Sequence, residues 1–186
     1  MYIPSHFIVR GDAAATAEKI MSGEFLFRIG IVSELISFTA FIFVARVLYR
    51  LLHGVNKTHA SLMVTLIVVS IPISLVNLLN VIAALILVRG ENYLSVFTKP
   101  QRESLALMFL DLHDYGFSVA QIFWGLWLVP FGLLVYRSGF LPRILGVLLV
   151  IACFGYLGVR LKIDFLRTVP TREFIHIGLS GTAGVV

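Results

Sequence analysis

The chain of 186 residues is 59% hydrophobic and 13% charged, whereas a soluble globular domain carries roughly 25% charged residues. Together with a mean hydropathy of +0.95, this composition excludes an ordinary soluble enzyme or binding domain. The net charge of +5 is spread over the predicted loops, so it indicates contact with anionic lipid headgroups rather than with nucleic acid.

Four apolar stretches have, or approach, the length of about 20 residues that a helix needs to cross a bilayer core. The second of them, 60–88, contains no charged side chain. Backbone polar groups in hydrocarbon must be satisfied within their own segment, and the sequence lacks the alternating pattern of a membrane barrel. We therefore predict an all-α fold. It is an integral membrane helical bundle with about four transmembrane helices, at about 29–52, 60–88, 115–136 and 142–161, plus short interfacial helices.

A short helix is predicted ahead of the first span, and a polar tail follows the last one. Asp12 suits the N-cap of this helix, because its side-chain oxygen can accept from N–H groups of the first turn. Gly23 suits its end. Residues 1–160 are then one membrane-embedded domain, and we expect the polar, Gly-containing segment 161–186 to be poorly ordered.

Another helix is predicted between the second and third spans. It begins with a capping box, formed by Thr98 and the glutamine three residues later. An unbroken helix over 99–136 would be about 57 Å long, which is too long for one crossing. We therefore expect an interfacial helix that bends at 111–116. Pro72 and Pro130 are expected to kink the second and third spans.

Polar side chains whose burial in hydrocarbon costs free energy recur near one end of each predicted span. Because successive helices alternate in direction, these ends all lie toward the same face of the membrane. Ionisable groups inside a span indicate a functional site with a partner, and we pair Glu34 or Asp111 with Arg160. The sequence thus predicts a polar pocket in one leaflet that holds a ligand, an ion or a proton. The candidate residues are Glu34, Asn77, Asn80, Asp111, His113, Asp114, Gln121 and Arg160.

A structural interpretation of the same residues competes with this pocket, and we favour it. Amides and hydroxyls often only join transmembrane helices, at about 0.6 kcal/mol for each hydrogen bond. Asp111 and Asp114 can also be solvated at the headgroup level. Trp124 and Trp127 lie in the middle of the third span, and we interpret them as packing or lipid-facing bulk.

The evidence for an enzyme is weaker. Asp111, His113 and Asp114 resemble a metal-ligand spacing, but on a helix the two aspartates share a face that His113 does not. The other four histidines lie in loops or in the tail, and no known catalytic motif is present. The single cysteine, Cys153, lies within the fourth span. We predict no catalytic residue, no metal and no cofactor, and we keep a membrane-embedded metal enzyme as a third hypothesis.

Five runs of sequence resemble one family of bacterial multi-span membrane proteins, the domain-of-unknown-function family 4386. They are GDAAATA at 11–17, LFRIGIVSEL at 26–35, VNLLN at 76–80, LMFLDLHDYG at 107–116 and SGFLPRILGVL at 138–148. Together they cover about 11–157, in order. The resemblance implies a multi-pass helical protein of the bacterial cytoplasmic membrane, and it implies no particular activity.

Two departures from the family pattern concern the ends of the chain. Members generally have one more span ahead of the run at 11–17, and they finish with another apolar helix where this chain is polar and rich in glycine. We therefore expect a truncated or frame-shifted member. The additional span implies that the N-terminal segment lies outside, whereas counting Lys and Arg favours the inside. Both orientations stay open.

The sequence leaves two main classes of function. We favour a non-enzymatic structural or partner-binding subunit, whose partners are the lipid bilayer and either other membrane subunits or a second copy. The alternative is a small-molecule, ion or proton-handling membrane protein that uses the polar pocket. Nucleic acid is not an expected partner of either.

Overall fold

The computed structural model describes the backbone of residues 6–168 and the side chains of residues 6–156. Every regular element in this part of the chain is helical, so the predicted all-α fold is confirmed. The helices are α1 (Ala13–Ser22), α2 (Glu24–Leu52), α3 (Lys57–Arg89), α4 (Lys99–Leu126), α5 (Leu128–Arg137) and α6 (Arg143–Thr168), and a short 3-10 helix lies at Asn92–Leu94.

Three helices are long and apolar enough to cross a membrane. They are α2, α3 and the stretch formed by α4 and α5 together. The apolar part of α6, Arg143–Tyr156, is shorter, so the fourth span stays a prediction. The α6 helix continues to Thr168, past the predicted end of that span at 161. Residues 169–186 of the predicted tail lie outside the described residues.

The predicted helix starts are confirmed by their caps. The Asp12 carboxylate accepts a hydrogen bond from the backbone N–H of Ala15 at 2.9 Å, and Gly23 follows the last residue of α1. At the start of α4, the backbone N–H of Thr98 donates to Gln101 Oε1 at 2.9 Å. Both caps satisfy N–H groups that have no partner within the helix.

The helix is not interrupted at 111–116, where the sequence predicts a bend. The α4 helix runs unbroken to Leu126, and the helix is interrupted only at Trp127, whose backbone dihedral angles are still right-handed helical. The break lies there because Pro130 has no N–H to donate to the carbonyl of Leu126. In the first half of α4, Ala106 and Leu110 are buried in the same apolar cluster as Leu78, Val81 and Leu85 of α3.

The central helix of the bundle is α3, which packs against α1, α2, α4 and α5. Two apolar clusters form along it. One includes Ile67 and Ile71, and the other begins at Leu78. Between them Ser74 and Asn77 are buried, which places a polar layer inside an otherwise apolar bundle.

The last two helices form a hairpin that is held by close backbone contact. Gly139 turns the chain with φ +74, as the sequence SGFLP suggests. A Cβ on Gly132 would lie 2.7 Å from the carbonyl oxygen of Gly146, and a Cβ on Gly146 would lie 2.6 Å from that of Gly132. Glycines at both positions therefore allow α5 and α6 to approach closely, as small residues do in membrane helix pairs.

Candidate functional site

The polar layer is organised by reciprocal hydrogen bonds between α3 and α4. The Asn77 side-chain amide donates to the backbone carbonyl of His113 at 2.8 Å. In the other direction, His113 Nδ1 lies 3.2 Å from the backbone carbonyl oxygen of Asn77. A carbonyl only accepts, so this bond requires the proton on Nδ1. Both side chains are buried, with 6% and 2% of their surface exposed.

The Asn77 amide is held in its orientation by two neighbours. Asn80 donates through Nδ2 to Asn77 Oδ1 at 3.0 Å, which leaves the Asn77 NH₂ group facing His113. On α4, Gly116 lies directly against the amide, and a Cβ at that position would come within 2.6 Å of Asn77 Cγ. Only a glycine at 116 lets Asn77 reach the backbone of α4.

Glu34 reaches toward the same region from α2. Its side chain is half-buried, and its charge interacts electrostatically with His113. The Oε2 atom is buried and accepts no hydrogen bond from the described residues. An acceptor without a donor in an apolar setting costs about 1–3 kcal/mol, so Glu34 is the least satisfied acid among the candidates.

Gln121 lies two turns beyond His113 on the same face of α4. It is buried, with 7% of its surface exposed, and its Oε1 atom has no hydrogen-bond partner among the described residues. Trp124, one turn further, is in the same state: its indole Nε1 is buried and donates to no described acceptor. The sequence interpretation of Trp124 as packing bulk missed this, because composition alone does not reveal an unpaired N–H.

The remaining candidates are less well defined. Asp111 and Asp114 are half-buried on α4, and Arg160 lies in α6 with a side chain outside the described residues. The predicted pairing of Arg160 with Glu34 or Asp111 therefore stays a prediction. Within the described side chains, no group of three His, Cys, Asp or Glu residues is close enough to hold a metal ion.

The serines that accompany the candidates on their helices are used locally. Ser74 donates to the carbonyl of Ser70 at 2.9 Å, Ser118 to that of Asp114 at 3.1 Å, and Ser37 to that of Ser33 at 2.7 Å. A hydroxyl that bonds one turn back on its own helix satisfies itself without a ligand. These serines therefore make the helix surfaces polar at little cost.

A family model described as a domain of unknown function, DUF4386, matches residues 1–171, which extends beyond the 11–157 covered by the resemblance seen in the sequence. No curated protein and no solved structure matches the chain.

We predict that Gly116→Ala destabilises the protein by about 1–3 kcal/mol, because the new methyl group overpacks the α3–α4 contact. The Cβ meets side-chain atoms of Asn77, so Asn77→Ala in the same chain removes the clash. The free energy of unfolding of the double variant should therefore fall by less than the sum of the decreases in the two single variants. Unfolding by denaturant in detergent micelles measures these differences.

Gly155→Ala is the matched control, since a Cβ there meets nothing within 4 Å. It also replaces a glycine inside a helix, and its stability should be equal to or above that of the wild type. If the losses of stability caused by Gly116→Ala and Asn77→Ala were additive, this would contradict the contact between Gly116 and Asn77.

Proposed function

The chain belongs to the DUF4386 family, and we propose that it is a non-catalytic multi-pass subunit of the bacterial cytoplasmic membrane whose buried polar residues hold its helices together. The observation that carries this proposal is the reciprocal bonding of Asn77 and His113. Three helices of sufficient length and apolar character support the membrane part of it.

The pairing favours a structural role over a binding role for Asn77, Asn80 and His113. Each Asn77 amide group has a partner, since Nδ2 donates to His113 and Oδ1 accepts from Asn80. A ligand would have to break these bonds to reach them. In hydrocarbon, where no water replaces a lost partner, such bonds hold helices in one register.

The partner-binding part of the proposal concerns α2. In an apolar stretch of 18 residues within α2, only 17% is buried inside the chain, whereas 39% is buried in the corresponding stretch of each of the other two long helices. Ser33 and Ser37 are exposed on α2 at the four-residue spacing that allows two membrane helices to approach closely. Because such a stripe is complementary to itself, we propose that a second copy of the chain packs there about a two-fold axis.

A second candidate function is proton handling, and Glu34 favours it. An acid within a span that has a buried oxygen without a described partner is the kind of group from which intramembrane proton relays are built. The structural proposal and this alternative differ in what removal of the charge of Glu34 does.

Proteoliposomes that contain a pH-sensitive dye separate these two functions. If the protein is structural, an imposed proton gradient decays at the same rate with the wild type, with Glu34→Gln and with empty vesicles. A different result would overturn the structural proposal in favour of proton handling. In that result, the wild type carries a proton flux at least several-fold above that of empty vesicles, and Glu34→Gln abolishes this flux. Asn77→Ala, which weakens the α3–α4 contact without removing a charge, controls for loss of fold.

Disulfide trapping tests the dimer through α2. In a Cys153→Ala background, which removes the one native cysteine, Ser33→Cys should form a covalent dimer in oxidised bilayers, and the yield should persist as the protein is diluted with lipid. Val76→Cys is the control, because Val76 is 66% exposed on α3 and lies away from the stripe. Equal yields at both positions, or a yield at Ser33 that falls with dilution, would show random collision instead.

A further inference from the structure

One end of the bundle has basic side chains and no acidic ones. It is formed by the end of α2, the start of α3 and the α5–α6 turn, and the buried cluster that contains Leu52, Ala60 and Leu134 holds these helices together there. The chain has no Asp or Glu at 35–88 or at 115–163. The basic residues of this end, which we call the basic end, are all exposed: Arg46, Arg50, Lys57, Arg137 and Arg143.

The opposite end of the bundle also has basic residues, but acids accompany them. The salt bridges among the described side chains all lie at the start of α2, the end of α3 and the start of α4. They are Arg28–Glu24 at 2.7 Å, Arg89–Glu24 at 3.6 Å, Arg89–Glu91 at 3.5 Å and Lys99–Glu103 at 3.8 Å. Among the described residues, unbalanced positive charge is therefore concentrated at the basic end.

Two arginines of the basic end lie on the side of α2 that faces lipid. Thr39, Phe43, Arg46 and Arg50 follow one another at helical spacing on one face of α2, and all four are exposed, Phe43 by 66%. Arg46 lies six residues before the end of α2, which is about 9 Å along the helix. A lipid headgroup can reach Arg46 at that depth more readily than a protein outside the membrane can.

The spacing of Arg46 and Arg50 favours an anion between them. Residues four apart on a helix are neighbours, and two like charges at that spacing repel each other. An anion bound by both guanidinium groups removes this repulsion. The phosphate of a phospholipid is the anion present at this depth, and arginine binds phosphate through paired N–H groups.

We propose that Arg46 and Arg50 bind the phosphate of one anionic phospholipid, whose acyl chains lie along Phe43 and Thr39. The surrounding basic end makes an anionic headgroup preferable to a zwitterionic one, because it has no acid that would repel the additional negative charge. The inference goes beyond the structural function and does not depend on it. An acidic protein outside the membrane is the other partner that such a charge could attract.

Fluorescence quenching at Val47 tests this site, because Val47 follows Arg46 on α2 and is 63% exposed. In the Cys153→Ala background, Val47→Cys is labelled with bimane and reconstituted into phosphatidylcholine bilayers that contain nitroxide-labelled lipid, which quenches bimane on contact. We expect half-maximal quenching by labelled phosphatidylglycerol at a mole fraction about fivefold below that of labelled phosphatidylcholine, as one arginine near a membrane surface provides.

A second label position shows whether the preference is local. Ile29 is 45% exposed, and it lies as far from the start of α2 as Val47 lies from its end. Its neighbour Arg28 is already paired with Glu24, so bimane at Ile29→Cys should be quenched equally by the two lipids. An equal preference for phosphatidylglycerol at Ile29 and Val47 would overturn the proposed site.

Two double variants assign the preference to the arginines. Arg46→Gln with Arg50→Gln should abolish the preference at Val47, whereas Lys19→Gln with Lys99→Gln, which removes the same charge from the opposite end, should leave it unchanged. Quenching by phosphatidylcholine should be the same in both, which shows that each variant remains inserted. A preference that survives the loss of both arginines would overturn the proposal. Equal quenching of the wild-type site by the two lipids would also overturn it, in favour of an acidic protein partner.

Discussion

The cost of leaving a polar group unpaired in hydrocarbon is the constraint on which this bundle depends. Asn77 and His113 meet it by bonding to each other's backbone carbonyls, which are present whatever side chains surround them. The contact lies between two apolar clusters, where sliding α4 along α3 would break both bonds at once. The polar layer therefore sets the register of α3 against α4, whose apolar surfaces alone would allow several different registers.

That register also decides which side chains α4 presents to α2. With His113 directed at α3, Trp124, three turns further along α4, contacts Phe38 of α2. The same constraint is not met at Glu34, Gln121 and Trp124, each of which has a buried polar atom without a described partner. The described part of the bundle thus contains a satisfied polar contact between α3 and α4, which serves stability, and other buried polar atoms that have no partner among the described residues.

Much of the fold could be predicted because the length and the apolar character of each segment can be seen directly in the sequence. The positions of the long helices and the caps at Asp12 and Thr98 follow from them. The packing of Ala106 and Leu110 against α3 could not be predicted in the same way, because it is a tertiary effect. The bonds of Asn77 and His113 could not be foreseen, because their acceptors are backbone atoms that every residue carries.

The central claim is that His113 Nδ1 donates to the backbone carbonyl of Asn77 across the α3–α4 contact. Solid-state NMR of the protein in bilayers, with ¹⁵N-labelled histidine and ¹³C′-labelled asparagine, tests it directly. A His59→Gln background is needed, because His59 also contacts an asparagine, Asn56. The account predicts a protonated Nδ1 coupled to an asparagine carbonyl carbon at about 4 Å. An unprotonated Nδ1, or no coupling to any asparagine carbonyl, would contradict it.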